Sequence, residues 1–215
     1  MKKILKENGL LKAFLTSFLY LLFVSFIYAL SYEFSFNTPL SYLIAYIFVM
    51  FFILKKNKDI LYKNLTDLKN IHFNELIKLI SISLLFTLLM VISNKLIVNY
   101  VGHIASNELD NQLLFNKAKL LMGLNIIIFG PIVEELIFRF QYHNVKGNKL
   151  ITFIFYTFIF AIAHVNLTDI HEYIFFIPYL FLSLSIGYSY YKTDNIFMSI
   201  LAHILNNFIT IMILL

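Results

Sequence analysis

Apolar residues in this chain neither alternate as in a half-buried strand nor keep to a narrow helical stripe. They run on continuously and are interrupted at intervals by short clusters of Lys, Asn, Asp and Glu. A helix that crosses a bilayer needs about 20 mainly apolar residues, roughly 17 to 25. Seven stretches reach or approach that length: 10–30, 40–54, 76–98, 120–142, 150–164, 173–191 and 196–215. The second and fifth are short. The third carries Lys78 and Lys95 near its ends, where long side chains can reach the interface. The pattern predicts an all-α, polytopic transmembrane bundle of about seven spans. With no internal repeat and no dividing linker, 1–215 reads as a single integral membrane domain.

Composition sharpens this. The chain is 60% hydrophobic and only 13% charged, far from the roughly 25% charge of a soluble domain. It has 24 Phe and 14 Tyr but no Cys, so thiol catalysis and Cys-ligated metal are excluded. The net charge of +5 would fit a nucleic-acid partner only if the lysines formed a patch, and they lie between the apolar runs instead. The expected partner is the lipid bilayer, with no nucleic acid.

The lysines also set a topology, because cytoplasmic loops are enriched in Lys and Arg. Lys2, Lys3, Lys6 and Lys12 precede the first span, and Lys55, Lys56, Lys58, Lys63 and Lys69 follow the second. Lys146 and Lys149 follow the fourth, and Lys192 the sixth. Seven crossings put all of these on one side, which predicts a cytoplasmic N-terminus. The opposite loops hold Lys117 and Lys119 beside Glu33, Glu108, Asp110, Asp169 and Glu172. The first run is longer than the about 7 to 15 apolar residues of a signal peptide, so it reads as an uncleaved anchor. The polar stretch 99–116 suits a short interfacial helix. The Lys- and Leu-bearing stretch 55–74 suits the inner membrane surface.

Ionisable groups within spans are functional-site hypotheses, because a central acidic residue costs about 2.5 to 3.5 kcal/mol on insertion scales. The fourth span contains Gly130-Pro131-Ile132-Val133-Glu134-Glu135 followed by Arg139, the fifth Phe160 and His164, the seventh His203 and Asn207. Glu135 and Arg139 are i, i+4 neighbours on one helix face, so each can offset the other's burial. Glu134 lies about 100° round the helix and is left for other work. His203 and Asn207, also i, i+4, project from one face as a pair of hydrogen-bond donors. Pro131 can free backbone carbonyls at membrane depth, which is tolerated where helices line a cavity. Measured from the turn at 146–149, Glu134 and His164 lie roughly 18 and 22 Å along their helices, and His203 and Asn207 enter from the same side. The groups can therefore converge.

These residues resemble the CPBP intramembrane proteases (CAAX protease and bacteriocin processing, or Abi), a family that includes the eukaryotic type II CAAX prenyl endopeptidase. The family pattern is Glu-Glu-x-x-x-Arg, then Phe-x-x-x-His, then His-x-x-x-Asn or Asp, on separate helices. Glu134-Glu135 with Arg139, Phe160 with His164, and His203 with Asn207 match every element in order. The likeness makes 120–215 the expected catalytic core, with 1–119 adding three spans and their loops.

The resemblance implies hydrolysis of a peptide bond in a membrane-associated peptide or protein. Water would be activated by Glu134 and held by His164, while His203 and Asn207 stabilise the oxyanion. Glu135, Arg139 and Phe160 would support the site, Glu135 also being a possible second acid. No cofactor is favoured. Zinc is the alternative, with His164, His203 and Glu134 as ligands, although no His-Glu-x-x-His is present. The sequence lacks the Gly-x-Ser-Gly of rhomboid-type serine proteases and has no aspartate within a span. The Lys-, Ile-, Asn- and Phe-rich composition points to an AT-rich bacterial genome, hence a multi-pass protein of the bacterial cell membrane. Bacteriocin processing and self-immunity are the candidate settings. The competing reading is a non-catalytic immunity or scaffold protein that binds a toxin or sensor. A proton-coupled transporter is the third, without the inverted repeat or paired broken helices expected of one.

Overall fold

The computed structural model describes residues 9–34, 36–143 and 145–214; Lys2, Lys3 and Lys6 lie outside them. The described residues are mainly helical: α1 (Gly9–Glu33), α2 (Thr38–Asp67), α3 (Phe73–Val101), α4 (Ser106–Lys117), α5 (Lys119–Leu124), α6 (Gly130–Phe138), α7 (Lys149–Ala163), α8 (Phe176–Thr193) and α9 (Ile196–Leu214). A π turn, Asn125–Phe129, joins α5 to α6, so the two act as one span. Among the described residues, six helical segments are long and apolar enough to cross a membrane, and α7 is a shorter apolar helix. The polytopic bundle is as expected, with α7 as the short member among the seven apolar runs.

Local chemistry sets the boundaries. Asn37 caps α2 by accepting the Leu40 amide, with Pro39 in the first turn. Asn148 caps α7 by accepting the amides of Leu150 and Ile151. Gly102, at φ 81°, ends α3 in the left-handed conformation that glycine adopts without penalty. The second span runs well past Leu54: α2 continues to Asp67, bending at Asn57 (φ −125°, ψ 21°) where the lysines begin. The stretch 99–116 does form a short helix, α4.

Helix α8 is the hub, packing against α3, α7 and α9, while α1 pairs with α2 and α9 lies against α6. Its buried Ser183, Ser185, Gly187 and Ser189 allow close approach. Ser83 of α3 and Ser185 of α8 hydrogen-bond at 2.8 Å, and Asn206 of α9 donates to Thr87 of α3 at 2.8 Å.

The described loops sort to two ends. Lys149 pairs with Asp194 at 2.7 Å, and the Asn195 amide donates to the Asn64 carbonyl at 2.6 Å, so the end of α2 and the α8–α9 turn share one end with the start of α7. At the other end the Ser106 amide donates to Glu172 at 3.1 Å, and Asn94 donates to Glu108 at 3.1 Å.

Candidate active site

Three helices bring ionisable groups together inside this bundle. Glu135 of α6 is fully buried, and both of its carboxylate oxygens have donors. Oε1 accepts from Arg139 Nη1 at 2.9 Å and from His203 Nδ1 at 3.0 Å, and Oε2 accepts from the Ser199 hydroxyl. Arg139, equally buried, extends Nη2 to Ser183 Oγ of α8 at 2.9 Å. A buried ion pair is tolerated when further donors and acceptors surround it; here Ser183 of α8 and Ser199 and His203 of α9 supply most of them, while Arg139 Nε has no hydrogen-bond partner. The expected Glu135–Arg139 pair is therefore present, inside a larger network.

Glu134, on the adjoining face, is one-quarter exposed and has no arginine partner. Its Oε2 lies 3.5 Å from His164 Nε2 and 3.8 Å from His203 Nε2. Both imidazoles are anchored by their other nitrogen: His164 Nδ1 donates to the Phe160 carbonyl at 2.8 Å, and His203 Nδ1 donates to Glu135. A hydrogen bond on one ring nitrogen decides what the other presents. The two Nε2 atoms are thus both turned toward Glu134, and the three predicted groups do meet.

Phe160, wholly buried, is the surface on which these groups rest. His164 stacks on it with centroids 4.3 Å apart, and His203 meets it edge-on at 5.8 Å. The Arg139 guanidinium carbon lies 4.0 Å from its centroid. Tyr179 of α8 closes the far side of His164 at 5.3 Å. His164 sits at the C-terminal end of α7, one residue past the helix, so its ring leaves the wall of α7 at an end.

Asn207 is placed differently from a free donor. Its Nδ2 donates to the carbonyl of Ile126 in the π turn at 2.8 Å. The Gly130 amide reaches the carbonyl of Asn125, five residues back. In that register the Ile126 carbonyl faces position 131, which is proline and has no N–H to offer. Asn207 fills the vacancy, leaving one amide proton for other use. A Cβ on Gly130 would lie 2.8 Å from the Asn125 carbonyl oxygen, so the turn needs glycine there. The freed carbonyl expected from Pro131 is present. Ser199 and Ser183, by contrast, escaped sequence reading, because serine is common on packed membrane helices and neither lies in the charged motifs.

Zinc would require Glu134, His164 and His203 as ligands. Among the described residues, no group of three or more His, Cys, Asp or Glu is placed to hold a metal ion.

Residues 116–209 match a family model described as type II CAAX prenyl endopeptidase Rce1-like. This segment begins just before α5 and contains every group of the site. No curated protein and no solved structure matches the chain.

Proposed function

Taking the family match over 116–209 as premise, we propose that this multi-pass membrane protein is an intramembrane endopeptidase of the glutamate type. The observation that carries the reading is the convergence of His164 Nε2 and His203 Nε2 on Glu134 Oε2, at 3.5 and 3.8 Å. A water between Glu134 and His164 has a carboxylate to take its proton and an imidazole nitrogen to hold it. General-base assistance of this kind contributes about 10²- to 10⁴-fold. The hydroxide equivalent adds to the scissile carbonyl. His203, steadied through Nδ1 by Glu135, donates from Nε2 to the oxyanion. Asn207 donates its remaining amide proton. Glu134 then returns the proton to the leaving amine, so the carboxylate is regenerated and no atom is lost.

Glu135 and Arg139 hold the site and do not enter the proton balance. The substrate is a membrane-associated peptide or protein in a bacterial cell membrane, with the lysine-rich end of the bundle, and the N-terminus, facing the cytoplasm. Bacteriocin maturation or self-immunity is the setting proposed.

The test is cleavage of a fluorogenic membrane-peptide library by the purified protein in detergent, alongside Glu134→Gln, each with and without a strong chelator. Cleavage that needs Glu134 and survives chelation is expected. Cleavage abolished by the chelator and restored by zinc would replace the glutamate mechanism with a metal-dependent one. Equal cleavage by both proteins would overturn the role of Glu134. Absence of Glu134-dependent cleavage, with a Glu134→Gln protein that still protects cells from a toxin, would favour the binding reading.

A further inference from the structure

Ser199 occupies a place that the motif does not assign. It lies one turn before His203 on α9, so the two side chains share a helix face, and it is completely buried. Its hydroxyl has one proton and two neighbouring acceptors. One is Glu135 Oε2, and the other is the Ile186 carbonyl at 3.4 Å. The proton goes to the nearer, charged oxygen, where a hydrogen bond is stronger.

The consequence falls on His203. Glu135 Oε1 already accepts from both Arg139 Nη1 and His203 Nδ1, so the carboxylate keeps this orientation only while Oε2 has a donor of its own. Ser199 is that donor. Without its hydroxyl, a charged oxygen is left buried and unpaired, a costly state. A carboxylate turned so that Oε2 reaches Arg139 carries Oε1 away from His203, and the His203 ring then loses its fixed Nδ1 partner.

We propose that Ser199 is a positioning residue: through Glu135 it fixes the orientation of His203, and so the direction of Nε2 toward Glu134. The inference rests on the hydrolytic reading for its effect on turnover, but not for its effect on the ring. Ser183, which receives Arg139 Nη2, steadies the cation and lies one step further from the chemistry.

Two measurements on Ser199→Ala test this, with Ser199→Thr as the variant that restores the hydroxyl. The first is cleavage kinetics on a peptide that the native protein cuts, well below the unfolding midpoint. Ser199→Ala is expected to lower kcat by about 10- to 100-fold, in line with loss of a hydrogen bond to a buried charge, with KM unchanged and recovery in Ser199→Thr. The second is NMR of ¹⁵N-histidine-labelled protein in detergent, with His203→Gln supplying the assignment. The native His203 Nδ1 proton is expected as a slowly exchanging, downfield signal that disappears in Ser199→Ala. Native turnover in Ser199→Ala, or an unchanged Nδ1 signal, would overturn the proposal. The NMR arm needs no substrate, so it decides on Ser199 even where Glu134→Gln cleaves like the native protein and the hydrolytic reading fails.

Discussion

The guanidinium of Arg139 lies 4.0 Å from the ring centroid of Phe160, and both residues are sealed from solvent. Phe160 thus serves a buried cation and, by stacking, the ring of His164. It couples the two charged motifs to α7 through one aromatic surface.

Replacing Phe160 by Ala removes that surface. Burial and cavity terms for Phe→Ala amount to about 3–5 kcal/mol, and a desolvated cation–π contact adds up to about 2 kcal/mol. Phe160→Ala is expected to lower the thermal unfolding midpoint in detergent strongly. Phe160→Tyr, which keeps the π face, is expected to lose far less. Equal midpoints for the two variants would show that the aromatic face contributes nothing beyond volume.

The Glu135–Arg139 pair is completely buried, so removal of either charge strands the other. Glu135→Gln and Arg139→Met are each expected to destabilise by about 3–5 kcal/mol. The double variant should be more stable than the sum of the two losses predicts. A double-mutant cycle on unfolding free energies measures this coupling, and strict additivity would contradict the pairing.

Asn207 and Pro131 are linked through the carbonyl of Ile126. Asn207→Ala leaves that carbonyl without a donor, at a cost of about 1–3 kcal/mol. Pro131→Ala returns a backbone N–H to the position that faces it. In the Asn207→Ala background, Pro131→Ala is therefore expected to recover stability, whereas alone it gives little. The check is a second cycle of unfolding measurements, in which no recovery would separate the amide from the turn.

How far these features were legible depended on charge. Glu134, Glu135, Arg139, His164 and His203 stand out because each breaks an apolar run where a charge is expensive, and their i, i+4 spacings tie them to helix faces. Ser199 and Ser183 do not break such runs, so nothing marks them until a buried carboxylate and guanidinium are seen to end on their hydroxyls. The π turn was hidden for a similar reason. Asn125-Ile126-Ile127-Ile128-Phe129 is apolar enough to continue a helix, and only the Gly130-Pro131 pair hints that the hydrogen-bond register changes. At α2 the lysines after Leu54 ended the apolar run but not the helix, because no Gly or Pro follows before Asn70 to stop it.

Helix α7 has 15 residues, about 22 Å at the usual rise, against a hydrocarbon thickness of about 30 Å. Its outer face, with Leu150, Ile151, Ile154 and Phe158, is exposed and apolar. Beside a helix this short the bilayer can adjust by thinning, which would draw the headgroup layer toward the end of α7 that carries His164. On the hydrolytic reading proposed above, the acyl-chain length of the host membrane is then expected to change turnover.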